Sequence, residues 1–365
     1  MPRRKQTPLT LPNALLGFAI NGILIFAGAT YVVVRDYAGN FQESALEEAI
    51  SLRTAAASEA FARALGQDWE NLQAIALEVN RLEAGSLGSI LDIAAGPDQR
   101  VSWAGFARPS GEVVAASGEM LVGADVSMRP WFQQGLQGDF AGDLHEAVLL
   151  ADLMSADDEA PPRFLDLSTP VTGANGRLAG VLGFHINGAW AEDYLTDMAD
   201  TLGVVLALVN SSGEVMIGTD PDVTNQLDLP SLRAASSGVT GGGYEVWPDG
   251  KRYFTAVIPT VAYEDMPSFG WRLVGRIEPT SFTSTAGGNL VRRAGLAFLV
   301  AASFYLLGAM LFNRLYLRPL TSLARNAERI AAGHGDYPYE SRSSAELQRL
   351  SAALAQLEAE RHPPD

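Results

Sequence analysis

Val101-Ser102-Trp103-Ala104-Gly105-Phe106-Ala107, a turn at Pro109-Ser110-Gly111, and Val113-Val114-Ala115-Ala116 read as a β-hairpin. The pattern returns as Val204-Val205-Leu206-Ala207-Leu208-Val209, Asn210-Ser211-Ser212-Gly213 and Glu214-Val215-Met216-Ile217. Ser110-Gly111-Glu112-Val113 aligns with Ser212-Gly213-Glu214-Val215 at an offset of 102 residues. Each hairpin is followed by a loop or helix and a second hairpin: residues 164–171 and 178–186 around Ala174-Asn175-Gly176, then 251–258 and 271–277 around a Pro267/Gly270 turn region. A four-residue match arises easily by chance. The same order of elements around it points to a duplicated α+β module, with residues 189–202 as a connecting helix.

Working outward, residues 41–83 read as one long helix, with Phe41, Leu46, Leu52, Leu65, Trp69 and Leu72 among its apolar positions and Glu43, Glu47, Glu48 and Arg53 between them. Before it, residues 11–34 carry no charge and extend about 36 Å as a helix, enough to cross a bilayer core. Ala27-Gly28-Ala29 leaves a cleaved signal peptide open as the other reading, although the apolar run continues through Val34, past the usual ~7–15-residue signal core. A second uncharged run covers residues 294–312. Arg3, Arg4 and Lys5 before the first span put the N-terminus in the cytoplasm, and a second span returns the C-terminus there.

The 365 residues are 47% hydrophobic and 19% charged, and the excess apolarity sits in these two runs. Residues 35–293 hold 16 Lys and Arg against 35 Asp and Glu, a net of −19, while the remainder is +3. The overall charge of −16, with Lys5 and Lys251 the only lysines, argues against a nucleic-acid partner. Without cysteine there are no disulfides, thiolate metal sites or cysteine nucleophiles. A large acidic segment held outside a membrane at both ends suggests a receptor.

Two PAS-like modules on a long helix between two spans, with Arg129-Pro130-Trp131-Phe132 in the first module and Leu167-Ser168-Thr169-Pro170-Val171 ahead of Gly180-Val181-Leu182-Gly183, resemble the double Cache sensor domain of bacterial transmembrane receptors. The resemblance covers roughly residues 36–282. After the second span, Arg318-Pro319-Leu320, apolar Leu323, Ala327 and Ile330, a Gly333-His334-Gly335-Asp336 break and Glu346-Leu347 with Leu350, Leu354 and Leu357 resemble a HAMP linker, whose paired helices form a parallel bundle from two chains. A helical hairpin packing on itself is the alternative. The expected fold is therefore α+β, with a tail at 1–10, spans at 11–34 and 294–313, a sensor at 35–293 (modules at about 98–187 and 203–280), HAMP at 314–360 and a tail at 361–365.

The resemblance implies a ligand site in the first module formed by Arg129 and Trp131. A guanidinium fork suits a carboxylate, and an indole covers an apolar stem. A structural Arg–Trp pair is the competing reading. Amino-acid-binding members also carry a tyrosine five residues before the arginine, a tyrosine after the tryptophan and an aspartate on a later strand; here those positions hold Ala124, Phe132 and His185. The loss of the amine-receiving carboxylate turns the expectation toward an organic anion. Asp143, His145 and His185 are further candidates, as receivers of a second oxygen or as metal ligands, against surface strand histidines. Neither metal nor cofactor is required.

The expected function is a non-enzymatic receptor in a bacterial inner membrane, its sensor in the periplasm, relaying ligand occupancy through the second span to HAMP. It would act as a homodimer, with a separate cytoplasmic output protein, as in a two-component system. The alternative is the input half of a sensor kinase or diguanylate cyclase whose catalytic domain is missing here; the sequence has no Gly-rich phosphate loop or kinase signature. An anchored hydrolase would need an activated nucleophile, and neither Ser168 nor Ser211 sits in such a motif.

Overall fold

The computed structural model describes residues 10–81, 84–96, 100–146, 162–223, 226–238, 241–279, 285–334 and 339–361. The Arg3-Arg4-Lys5 cluster, most of the 1–10 tail, Gly335-Asp336 of the connector and His362 lie outside these residues. The chain divides into two compact units, residues 43–283 and residues 1–42 with 284–365.

In the larger unit, two five-stranded antiparallel sheets repeat one topology. The first contains β1 (Val101–Ala107), β2 (Val113–Ala116), β3 (Phe140–Glu146), β4 (Arg163–Thr172) and β5 (Leu178–Asn187) in the order β2-β1-β5-β4-β3. The second contains β6 (Val205–Val209), β7 (Val215–Gly218), β8 (Gly241–Val246), β9 (Arg252–Ile258) and β10 (Arg272–Ile277) in the order β7-β6-β10-β9-β8. The duplication extends to single hydrogen bonds. Arg108 N–H donates to Glu112 O and Gly111 N–H to Arg108 O; at the same offset Asn210 N–H donates to Glu214 O and Gly213 N–H to Asn210 O. Gly111 and Gly213 close these turns at φ 93° and 86°, a left-handed backbone that side chains resist.

Helix α1 runs from Leu11 to Glu78, α2 covers Ala84–Ala94, α3 Pro130–Gly135, α4 Gly188–Leu202 and α5 Pro230–Ala235. The long helix expected to residue 83 gives way to a 3₁₀ turn at Val79–Arg81, where its apolar spacing runs out. Alternation along the strands divides the core by faces. Leu46, Phe61, Leu65 and Trp69 of α1 share one cluster with Leu182, Phe184 and Ile186 of β5 and Leu206, Leu273 and Ile277 of the second sheet. On the opposite faces, Trp103, Trp131, Phe132 and Phe164 form a cluster in the first module, and Val209, Leu232, Trp247, Tyr253 and Val274 form one in the second. Asn187 opens α4 by accepting a bond from Ala189 N–H, and Gly203 closes it.

In the smaller unit, α6 (Thr285–Phe312), a π turn (Asn313–Leu317), α7 (Arg318–Ala331) and α8 (Ala345–Arg361) follow one another. Two helical stretches among the described residues, Leu11–Tyr37 and Arg292–Ala331, are long and apolar enough to cross a membrane. Phe26 stacks on Phe298 at 5.8 Å. Leu323 and Ile330 of α7 and Leu347 of α8 are buried, and the Ser351 hydroxyl donates to Tyr339 O.

Candidate ligand site

In the first module, the sheet face turned away from α1 carries the polar residues. Trp103 of β1 is paired with His185 of β5, and His185 with Asp166 of β4, so three adjacent strands bring an indole, an imidazole and a carboxylate into line. His185 and Asp166 are 7% and 2% exposed, and His185 Nδ1 stands 2.6 Å from Asp166 Oδ1. A contact that short between a ring nitrogen and a carboxylate requires an N–H donating to the oxygen. His145, on β3, contributes a second imidazole. Its Nδ1 lies 3.0 Å from the Asp143 backbone carbonyl, which can only accept, so Nδ1 carries the hydrogen and Nε2 faces Asp166 Oδ2 at 3.6 Å.

Aromatic rings enclose this cluster. Trp103 stacks on His185 with centroids 4.8 Å apart, Trp131 meets it edge-on at 5.9 Å, and Phe164 lies 5.9 Å away. Trp131 reaches this position because β5 carries Gly183 beneath it. A Cβ there would come 2.7 Å from the indole, so only glycine admits the ring. The Ser168 hydroxyl donates to Trp131 O at 2.7 Å and ties α3 to β4.

The sequence-derived candidates separate into three groups. Trp131, His145 and His185 come together. Phe132 is buried beside Trp131, with its ring at 84° to the indole plane. Arg129 caps the N-terminus of α3, half-buried, and its guanidinium makes no ion pair or hydrogen bond among the described residues. Asp143 turns elsewhere: its Oδ1 accepts the Trp271 indole N–H at 2.7 Å, from the second module. A metal site made of Asp143, His145 and His185 is therefore not assembled, and among the described residues no group of three or more His, Cys, Asp or Glu stands in ligating geometry.

Asp166 escaped the sequence reading. It lies in Phe164-Leu165-Asp166-Leu167-Ser168, where alternation alone would have put its side chain on the face of Phe164 and Ser168, opposite Leu165 and Leu167. A lone carboxylate on the same face as a histidine of the neighbouring strand was the available signal.

No family model matches the sequence, and no curated protein matches it. Among solved structures, the chain is similar to an extracellular ligand-binding receptor from Desulfohalobium retbaense, at 12% identity and TM-score 0.49, over 62% of this chain and only 40% of that one. It is also similar to the ligand-binding domain of the Pseudomonas aeruginosa amino acid chemoreceptor PctC in complex with GABA, at 16% identity and TM-score 0.48, over 64% of this chain and 99% of that one. A third is the sensory domain of the Campylobacter jejuni chemoreceptor Tlp3 with isoleucine bound, at 11% identity and TM-score 0.48, over 69% of this chain and 98% of that one.

Proposed function

We propose that this chain is a transmembrane receptor of the double Cache kind, without chemistry of its own, whose first module binds a small organic anion outside the membrane. The observation that carries the reading is the His145–Asp166–His185 cluster, walled by Trp103, Trp131 and Phe164 on the sheet face away from α1. Buried polar groups are costly unless they are used, and a hydrogen-bonded polar cluster beside an aromatic wall, with His145 reaching the surface, suits recognition of a small polar molecule. Arg129, two residues before Trp131 and with no ion pair or hydrogen bond among the described residues, supplies the charge-assisted contact to a carboxylate. Ligand occupancy would bias the second span, and α7 and α8 would carry that bias as a HAMP linker to a cytoplasmic output protein.

Calorimetry with a panel of mono- and dicarboxylates on the full chain in detergent tests the assignment. For the acid that binds, Arg129→Ala removes a contact of roughly 1.5–3 kcal/mol, a tenfold to hundredfold loss of affinity. Unchanged affinity in that variant, with the fold intact, would make Arg129 structural and the assignment wrong.

A further inference from the structure

We propose that the second module holds a separate binding site for a small zwitterion, a molecule with a carboxylate at one end and a protonated amine at the other, in the cavity at Arg276. The 102-residue offset that superimposes the two hairpins places Val205 where the first module has Trp103. Trp103 pairs with His185, and His185 with Asp166; Val205 pairs with Arg276, and Arg276 with Thr255. Arg276 therefore occupies the register position of His185, and its neighbours Leu273 and Ile277 face α1 while Val274 shares its own face. In both modules this position carries a buried polar side chain on the face away from α1.

Arg276 is 2% exposed and packs against two adjoining rings, its Cζ 4.5 Å from the Trp247 centroid and 4.2 Å from that of Tyr253, the centroids themselves 5.9 Å apart. Among the described residues, Nε and Nη1 of this guanidinium make no hydrogen bond. The carboxylate oxygens of its ion pairs with Asp249 and Asp220 stand 3.6 and 3.7 Å away, too far to accept a hydrogen bond. Both are already engaged, Asp249 by the Tyr253 hydroxyl at 2.6 Å and Asp220 by Asp222 N–H at 2.7 Å. A buried guanidinium with unused donors is costly without an acceptor, and a carboxylate is the strongest acceptor a small ligand offers it.

The arginine opens on a cavity of about 360 Å³, also lined by Asp200, Asp220, Asp222, Lys251, Tyr253 and Glu278. That volume lies in the range of small-molecule sites, roughly 300–1,000 Å³. A simple anion drawn to Arg276 and Lys251 would also face the three aspartates and Glu278. An amine at the far end of the same molecule turns that repulsion into attraction, so the mixed lining favours a ligand of both signs.

Calorimetry on the full chain in detergent, with β-alanine and glycine betaine as probes and propionate and propylamine as their single-charge counterparts, tests the proposal. In the Arg129→Ala variant, where the first module's anion contact is removed, at least one zwitterion should bind more than tenfold tighter than either single-charge compound. Lys251→Ala and Asp222→Asn, both at exposed positions, should each weaken it at least threefold with an unchanged melting midpoint. Arg276→Met should abolish it, and Arg129→Ala should leave it intact. If Arg276→Met does not fold, the two exposed variants decide. No binding of either zwitterion up to about 10 mM, equal binding of propionate in the Arg129→Ala variant, or loss in Arg129→Ala rather than in the cavity variants would overturn the proposal.

Discussion

Asp68 shows at the scale of one residue how burial competes with pairing. It projects from α1, 3% exposed, and accepts from Arg100 Nη2 at 2.8 Å, while the Arg100 guanidinium lies 5.1 Å from the Trp190 ring. Burial pushes the carboxyl from an ordinary 3.8 up to about 6, outweighing the pull of Arg100 in the other direction. Because the folded-state value is raised, the native protein binds more protons than the unfolded chain between these two pH values. The resulting stabilisation is present below about pH 4 and is lost as pH rises through 6, by roughly 3 kcal/mol for a two-unit difference. Thermal midpoints recorded from pH 4 to 7 should fall more in the native sequence than in Asp68→Asn. A native midpoint that rises relative to the variant over that window would show that the arginine outweighs burial. Neither this pair nor Asp166 was legible in the sequence, because both depend on which side chains meet across distant segments. His145, His185 and Trp131 were legible, because few histidines and one Arg-x-Trp-aromatic motif narrow the choice.

At the scale of elements, the β-hairpins were read correctly where β-branched and aromatic residues alternate, as in residues 178–186 and 271–277. The edge strands β3 and β8 gave a weaker signal. β8 begins Gly241-Gly242-Gly243, residues with no strand preference, and it becomes a strand because β9 offers an unpaired edge from Arg252 to Val257. β3 matters more for its contacts. From it Asp143 accepts the indole N–H of Trp271, a residue with no exposed surface that stacks on Phe269 at 4.1 Å and on Phe61 of α1 at 6.3 Å. One hydrogen bond to a charged acceptor thus joins the edge of the first sheet to the core of the second module. Asp143→Ala strands the indole donor in a buried site and should cost about 1–3 kcal/mol. Trp271→Phe should cost as much or more, and the double variant less than the sum of the two. Strict additivity in denaturant melts would mean that the contact does not couple the modules.

For the molecule as a whole, the proposed relay depends on what covers the last helix. Within a single chain, α7 spends its apolar residues internally: Leu323 is 1% exposed and Ile330 7%, and Leu347 of α8 is buried with them. Leu350 and Leu357, seven residues apart on one face of α8, remain 45% and 57% exposed. A helix of this length gains little stability from its own backbone, so an apolar stripe on its outer face is best satisfied by a second copy, as the proposed parallel bundle requires. Because the sequence contains no cysteine, introduced thiols report on this directly. In membranes, Leu350→Cys and Leu357→Cys should each form disulfide-linked dimers. Ala352→Cys and Ala359→Cys lie about 200° around the helix from them and should crosslink far less. Disulfides between like positions also require the two helices to run parallel, since an antiparallel pair would bring Leu350 opposite a different residue. Equal yields at the four positions, or none at any, would leave the outer face of α8 without a second copy, and the mechanism proposed for passing the signal inward would fail with it.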